Sequence, residues 1–333
     1  MWYTKFGNMG DVILSSRVRL ARNLKEIPFP NRATESGQQE ALSILKDAAL
    51  KIKNTKFFDL SKMEKREKAA LSQKHLISPN MIDESVKRGL VLSNDQRISI
   101  MINEEDHLRI QAMHEGFALD ECLKAAMDAD DIIESQVEYG FDEKLGYLTC
   151  CPTNAGTGLR ASVMACLPGL KMANRIEPLA RSLSKMGIAV RGIFGEGSES
   201  LGNIYQISNQ VALGISEEET IDRLKEIITE IVAQERELQR KIYDADKFRI
   251  EDRVYRSLGT LKFARVITSK EAMNLISDVR LGINLGIIKE TDLEKLSEIL
   301  YSILPAALSS AYNIASAADR DIKRAEVIRE KLI

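Results

Sequence analysis

Residues 97–112 constrain this chain more than any other stretch. Ile98, Ile100 and Ile102 alternate with Arg97, Ser99 and Met101, and Leu108, Ile110 and Ala112 alternate with His107, Arg109 and Gln111. Alternation with period two marks a strand with two unlike faces. Only a short acidic loop with Glu104, Glu105 and Asp106 separates the two runs. They must therefore pair antiparallel, because parallel neighbours need a crossover of roughly a dozen residues. Arg109 is expected on the polar face of the second strand, close to the acidic loop.

The same reasoning predicts a strand over 147–151, with Thr149 and Cys151 on one face, and another over 188–191. It also predicts a hairpin of 203–207 with 211–214 around Ser208-Asn209-Gln210. A long helix is expected over 216–243, opened by a capping box of Ser216 and Glu219. Ile221, Leu224, Ile228, Ile231, Leu238 and Ile242 form its apolar face. Beyond Asp244 the pattern is helical, most clearly over 291–304 and 319–332. The expected fold class is α/β of the α+β kind: a mainly antiparallel sheet flanked by helices over 1–243, then a helical domain over 244–333.

A net charge of -2, from 47 basic and 49 acidic residues, gives no footprint for wrapping nucleic acid. No stretch has the length and apolarity of a signal peptide or a membrane span, so the expected location is the cytoplasm. Cys122, Cys150, Cys151 and Cys166 lack zinc-site spacing and fit reduced thiols, and no protein metal site is expected.

Five arginines stand in distinctive settings: Arg17 and Arg19 in Ser15-Ser16-Arg17-Val18-Arg19, then Arg109, Arg160 and Arg191. On a strand, Arg17 and Arg19 share a face. Arg160 follows Gly156 and Gly158, whose missing side chains let an anion approach the backbone. Together the arginines match the charge of a nucleoside triphosphate, yet neither the P-loop Lys-Ser/Thr nor the motifs of hydroxyl-directed protein kinases are present. The acidic loop suits a different partner. A guanidinium stays protonated at physiological pH, so a reaction at its nitrogen needs carboxylates that orient it and take its proton.

The segments Ser-Ser-Arg-Val-Arg, Asn-Glu-Glu-Asp-His-Leu-Arg, Cys-Pro-Thr-Asn-x-Gly-Thr-Gly-Leu-Arg and Arg-Gly-x-x-Gly-Glu, in this order, resemble the phosphagen (guanidino) kinases. The resemblance implies ATP with Mg2+ as phosphoryl donor. It assigns nucleotide contacts to Ser15, Ser16, Arg17, Val18, Arg19, His75, Arg109, to Arg160, Ala161, Ser162, Val163, Met164, and to Arg191, Gly192, Ile193, Phe194, Gly195, Glu196. It also implies that Glu105 and Glu196 clamp the guanidinium, with Cys151 beside it. The residues alone leave His75 open to a packing role, Cys151 to being a small packed residue, and Glu104 and Asp106 to being loop charges.

Small-substrate members of that family carry a helical domain ahead of the first arginine motif, whereas only fourteen residues precede Ser15 here. A helical C-terminal extension containing Arg320-Asp321-Ile322-Lys323-Arg324-Ala325 resembles instead the bacterial protein-arginine kinase branch. That resemblance implies a phosphoarginine-binding, allosteric role for Arg320, Asp321, Arg324 and Ala325, although the same residues also read as a mixed-charge helix face. It further implies arginine-bearing protein substrates marked for the Clp protease in a stress response, an activator protein and a homodimer. Two alternatives share the features: a free-arginine kinase and an inactive adaptor that reads phosphoarginine.

Overall fold

The computed structural model describes residues 2–82, 86–192 and 200–332. Its strands are β1 (Ile13–Arg22), β2 (Thr55–Asp59), β3 (Gly89–Ser93), β4 (Ile98–Ile102), β5 (Leu108–Glu115), β6 (Phe141–Asp142), β7 (Gly146–Tyr147), β8 (Leu159–Cys166), β9 (Ile188–Gly192) and β10 (Ile204–Asn209). Eight form one sheet in the order β2-β3-β4-β5-β1-β8-β10-β9, and β6 with β7 makes a separate ribbon. Every pairing between neighbours in the large sheet is antiparallel, as the run at 97–112 required.

Cross-strand register decides what each face carries. Arg19 sits opposite Gln111 on one side and Arg160 on the other, Met101 opposite Arg109, and Gln206 opposite Arg191. Residues directly opposite one another share a face, so one face collects Arg17, Arg19, Arg109, Gln111, Arg160, Ser162, Arg191 and Gln206. The other face holds Val18, Leu20, Ile110, Leu159, Ala161, Val163 and Ile207 in the main core. A strand buried by both layers loses the simple apolar/polar contrast of an exposed sheet.

The main core is closed by α1 (Glu35–Ala49), α3 (Leu119–Glu134) and α6 (Glu217–Ala245), while α2 (Lys65–Gln73) lies on the arginine side. Short helices α4 (Pro168–Met172) and α5 (Ile176–Lys185) follow β8. Ser216 accepts from Glu219 N, and the Glu219 carboxylate answers Ser216 N, so α6 starts with both halves of the expected capping box. It runs on through residue 244. Asp246 ends it and caps α7 (Lys247–Phe263) through the Arg249 amide. The remaining helices are α8 (Ser269–Asn284), α9 (Leu293–Ser302), α10 (Pro305–Tyr312) and α11 (Ala317–Leu332).

These C-terminal helices also reach the arginine face. Met273, Leu300, Tyr301 and Leu304 join Met101, Met113 and Met164 in a second core. The Gln73 side chain accepts the Ala306 amide, linking the end of α2 to the start of α10.

Two strand expectations fail, for local reasons. Residues 148–151 leave the ladder: Leu148 N bonds Gly140 O, Cys150 N bonds the Asp106 carboxylate, and Pro152 opens a 3-10 turn. The hairpin around Ser208-Asn209-Gln210 is replaced by a continuous β10, because Ser208 and Asn209 pair with Ala189 and Ile188. The Asn209 side chain closes that end of the sheet, accepting from Ala161 N and donating to Leu159 O and Val211 O.

Candidate active site

Arg17, Arg19, Arg109, Arg160 and Arg191 converge on one cavity of about 590 Å3, whose wall also includes His75, Glu104, Glu105 and Gln206. Part of the cluster is pinned. Arg17 Nε donates to Ser162 Oγ at 3.2 Å and Arg17 NH2 to Gln206 Oε1 at 3.0 Å. Arg109 NH2 pairs with Glu104 at 2.8 Å and Glu105 at 3.1 Å. Burial, followed by the fields of Arg160 and Arg109, pushes the Arg17 guanidinium down to about 10, and Arg19 is lowered for the same kinds of reason. Arg19 Nε and Arg160 Nε are buried with no hydrogen-bond partner among the described residues. Crowded cations with unanswered donors form a site that is stabilised by a polyanion.

His75 follows α2 in a left-handed conformation, with φ of 59°. Gln111 Nε2 donates to its carbonyl at 2.7 Å, which fixes the turn against β5. Burial first, then Arg17 and Arg19, push its imidazole down to about 3. The ring is therefore neutral across the physiological range and adds no further charge to the cluster.

The acidic loop divides its labour. Glu104 is buried and accepts from Ser78 Oγ at 2.6 Å and from its neighbour's amide at 2.8 Å, besides holding Arg109. Burial alone would raise its pKa, but Arg109 and these donors outweigh it, and the carboxyl is held below the ordinary glutamate range. Glu105 behaves oppositely: burial, reinforced by Asp106 and Glu104, outweighs Arg109 and raises it. Its carboxylate borders a second cavity of about 340 Å3, shared with Arg19, Arg109, Cys151, Asn154 and Arg160. A raised carboxyl and a thiol thus face the same space.

Asp106 is no solvated charge either. It accepts Asn23 Nδ2 at 2.7 Å and Cys150 N at 2.7 Å, while Asn23 Oδ1 accepts His107 N at 2.9 Å and Asn23 Nδ2 also donates to Leu148 O at 2.9 Å. This buried latch ties the acidic loop to the segment carrying Cys151. Sequence reading missed Asn23, and the signal available was its place at the strand end beside Arg22. It also missed Gln206, which shares the face of Arg17, and Ser78 and Asn80, which meet Glu104.

Several expected nucleotide residues turn elsewhere. Val18, Ala161 and Val163 lie in the main core, and Ser16 points the same way, donating to Gly116 O. Strand alternation leaves them only their backbone to offer. Ser15 and Met164 are on the arginine face but beneath the second core, where Tyr301 meets the Ser15 hydroxyl. Gly192 ends β9 beside Arg191, and Ile193, Phe194, Gly195 and Glu196 lie outside the described residues.

The C-terminal motif departs most from expectation. Arg324 is only 1% exposed; its Nε donates to Ile303 O and its NH1 to Ile267 O, each at 2.9 Å, and it pairs with Asp321. Arg320 NH1 donates to Ala315 O at 2.8 Å, and Ala325 is buried. Arg320 and Arg324 therefore do not form an open two-pronged clamp, since one fork is consumed by packing against the chain.

The chain that carries this sheet and site belongs to the ATP:guanido phosphotransferases. Residues 37–238 match the family described as ATP:guanido phosphotransferase, C-terminal catalytic domain. Solved relatives include the duplicated taurocyamine kinase from Schistosoma mansoni with bound transition state analog components, at 26% identity and TM-score 0.62. That likeness covers 67% of this chain and 33% of that longer one. Lombricine kinase is similar at 27% identity and TM-score 0.60, covering 69% of this chain and 68% of that chain.

Residues 247–333 match a second family, the protein-arginine kinase McsB C-terminal domain. A protein-arginine kinase of Bacillus pumilus is 47% identical over 99% of this chain and 93% of its own length. Another, of Caldanaerobacter subterraneus subsp. tengcongensis, is 46% identical over 97% of each. The chain belongs to the protein-arginine kinase family.

Proposed function

We propose that the chain binds MgATP in the arginine-lined cavity and transfers the γ-phosphoryl group to a terminal nitrogen of arginine side chains in proteins. The observation that carries this reading is the convergence of five guanidinium groups on one sheet face, two with buried Nε donors unanswered among the described residues, beside a carboxylate with a raised pKa. Guanidinium forks suit the charge that spreads over a transferring phosphoryl group. No three His, Cys, Asp or Glu side chains among the described residues are grouped to hold a metal ion, so the proposal has Mg2+ arrive on the nucleotide's phosphates.

Arg17, Arg19, Arg109, Arg160 and Arg191 hold the phosphates, and neutral His75 offers a hydrogen bond at the cavity wall. Glu105 orients the substrate guanidinium and takes its proton as nitrogen attacks phosphorus in line. Glu196 is proposed as the second carboxylate, on the strength of the sequence motif, with Cys151 contacting the same guanidinium.

The product is a phosphoramidate, and it provides the test. Labelled ATP offered with an arginine-rich protein should label the protein through a bond lost in acid and kept in alkali. Efficient labelling of free arginine with proteins untouched would replace this reading by the metabolite-kinase one. Arg160→Ala should raise the KM for ATP by roughly tenfold or more, from loss of a charge-assisted contact, with a smaller effect on the KM for protein. An unchanged ATP titration removes Arg160 from the phosphate site.

The proposal extends to the setting that the resemblance implies: a cytoplasmic homodimer, controlled by an activator protein, that marks substrates for Clp proteolysis during stress. For the C-terminal motif we propose a narrower part. Arg320 is the anion contact in phosphoarginine-linked allostery, with Asp321, Arg324 and Ala325 holding α11 against the loops at Ile267 and Ile303.

A further inference from the structure

Beyond the cavities of the active site lies a third concavity of about 420 Å3, lined by Phe141, Lys144, Tyr147, Leu213, Glu217 and Glu219 among others. We propose that this groove docks the polypeptide on one side of the target arginine, an extended segment that is basic and carries an apolar residue. The inference rests on the protein-kinase reading above and specifies which surface the substrate chain uses.

The first observation is apolar exposure. Of the groove's lining residues Phe141 is 59% exposed and Leu213 47%, and they come from two segments, the β6-β7 ribbon and the stretch after β10. Phe141 packs edge-on against Tyr147 with ring centroids 5.3 Å apart, which fixes one wall.

The second is continuity with the chemistry. Cys151, Asn154 and Gly158 line the guanidinium-side cavity, whereas Gly156 and Thr157 line the groove. One loop is thus the wall between them. That wall is anchored on both sides by backbone contact. A Cβ on Gly156, where φ is +103°, would lie 2.4 Å from Ala212 O, and one on Gly146 would lie 2.3 Å from Gly156 O.

The third is charge. Glu217 and Glu219 line the groove with Lys144, and Asp142, Glu143 and Glu218 are their neighbours in the sequence. An acidic rim around apolar side chains complements a segment that carries arginine and neighbouring basic residues, and it opposes acidic ones.

The test compares two peptides that share one central arginine and one flanking lysine and differ only in carrying leucine or serine beside them, the leucine peptide being the first. The unaltered chain should show a KM for the first peptide lower by roughly tenfold, the effect of burying one apolar side chain, at similar kcat. Phe141→Ser/Leu213→Ser, both changes at exposed positions, should erase that difference while leaving the KM for ATP and the thermal midpoint in place. Equal KM values for the two peptides in the unaltered chain overturn the inference, and so does a preference that survives in the double variant. A double variant that loses self-association while keeping the peptide preference assigns the patch to a second copy of this chain and also overturns it. Transfer to neither peptide, nor to any protein, overturns the protein-kinase reading itself, and that result is distinct from equal use of both.

Discussion

Glu105→Gln is expected to lower kcat by roughly two to three orders of magnitude, the usual weight of a positioned general base, with ATP affinity nearly unchanged. The two glutamates of the loop explain why the effect falls on chemistry. Glu104 makes the shorter bond to Arg109, at 2.8 Å, and its side chain is buried; Glu105 bonds the same nitrogen at 3.1 Å and is far more open. Arg109 therefore keeps its main anchor in the variant, and the glutamine amide oxygen can take the place of the lost carboxylate oxygen. What disappears is the group able to accept a proton. Because burial raises the Glu105 carboxyl above its ordinary value, it gains its proton early as pH falls. The acid limb of kcat/KM should accordingly have its midpoint above the ordinary glutamate value near 4.3, and that limb should vanish in the variant. Steady-state rates across pH, with a separate nucleotide titration, measure both. Turnover near that of the unaltered chain would remove Glu105 from proton transfer.

Much of this arrangement could be read from the residues because it depends on periodicity. The alternation at 97–112 predicts β4, β5 and their antiparallel pairing, and the i, i+2 spacing of Arg17 and Arg19 predicts their common face. Capping chemistry likewise marks the start of α6 at Ser216. Features that depend on side-chain hydrogen bonds to distant backbone were not legible. Residues 148–151 look like a strand until Asp106 claims the Cys150 amide from 44 positions away. Ser208-Asn209 looks like a turn until β9 pairs with it. Arg324 shows the same limit in the opposite direction. Its spacing from Arg320 suits a phosphate clamp, yet the carbonyls of Ile267 and Ile303 take its donors, and they lie 57 and 21 positions away. Motif spacing identifies the side chains that can meet; burial decides which of them remain available.

Asp130→Ala should be among the most destabilising single changes in the catalytic part of the chain, at about 3–5 kcal/mol. Arg22 and Asp130 are 1% and 2% exposed. Arg22 Nε and NH2 reach Asp130 Oδ2 at 3.0 and 2.6 Å, and Tyr139 OH donates to Asp130 Oδ1 at 3.0 Å. Removing the carboxylate strands a buried cation and an unanswered hydroxyl in the interior. The thermal midpoint should fall by about 4–10 °C. The consequence extends to the active site, because Arg22 NH1 also donates to Thr157 O at 2.9 Å and the guanidinium stacks 3.5 Å over Tyr147. The loop between Cys151 and Arg160 is thus held by the same cation. Asp130→Asn keeps the shape but only one acceptor oxygen, enough for the two Arg22 bonds while the Tyr139 hydroxyl loses its acceptor, so its cost should be intermediate. The paired change Arg22→Met/Asp130→Leu removes both charges and should recover stability relative to Asp130→Ala, because the main penalty is the unpaired cation and not the missing attraction. It should not recover activity, since Thr157 still lacks its tether. Thermal melts and kcat/KM for the three variants separate these effects. A midpoint loss of less than about 1 °C in Asp130→Ala, corresponding to under about 1 kcal/mol, would mean that Arg22 finds another anion, and the argument for the tether would fail with it.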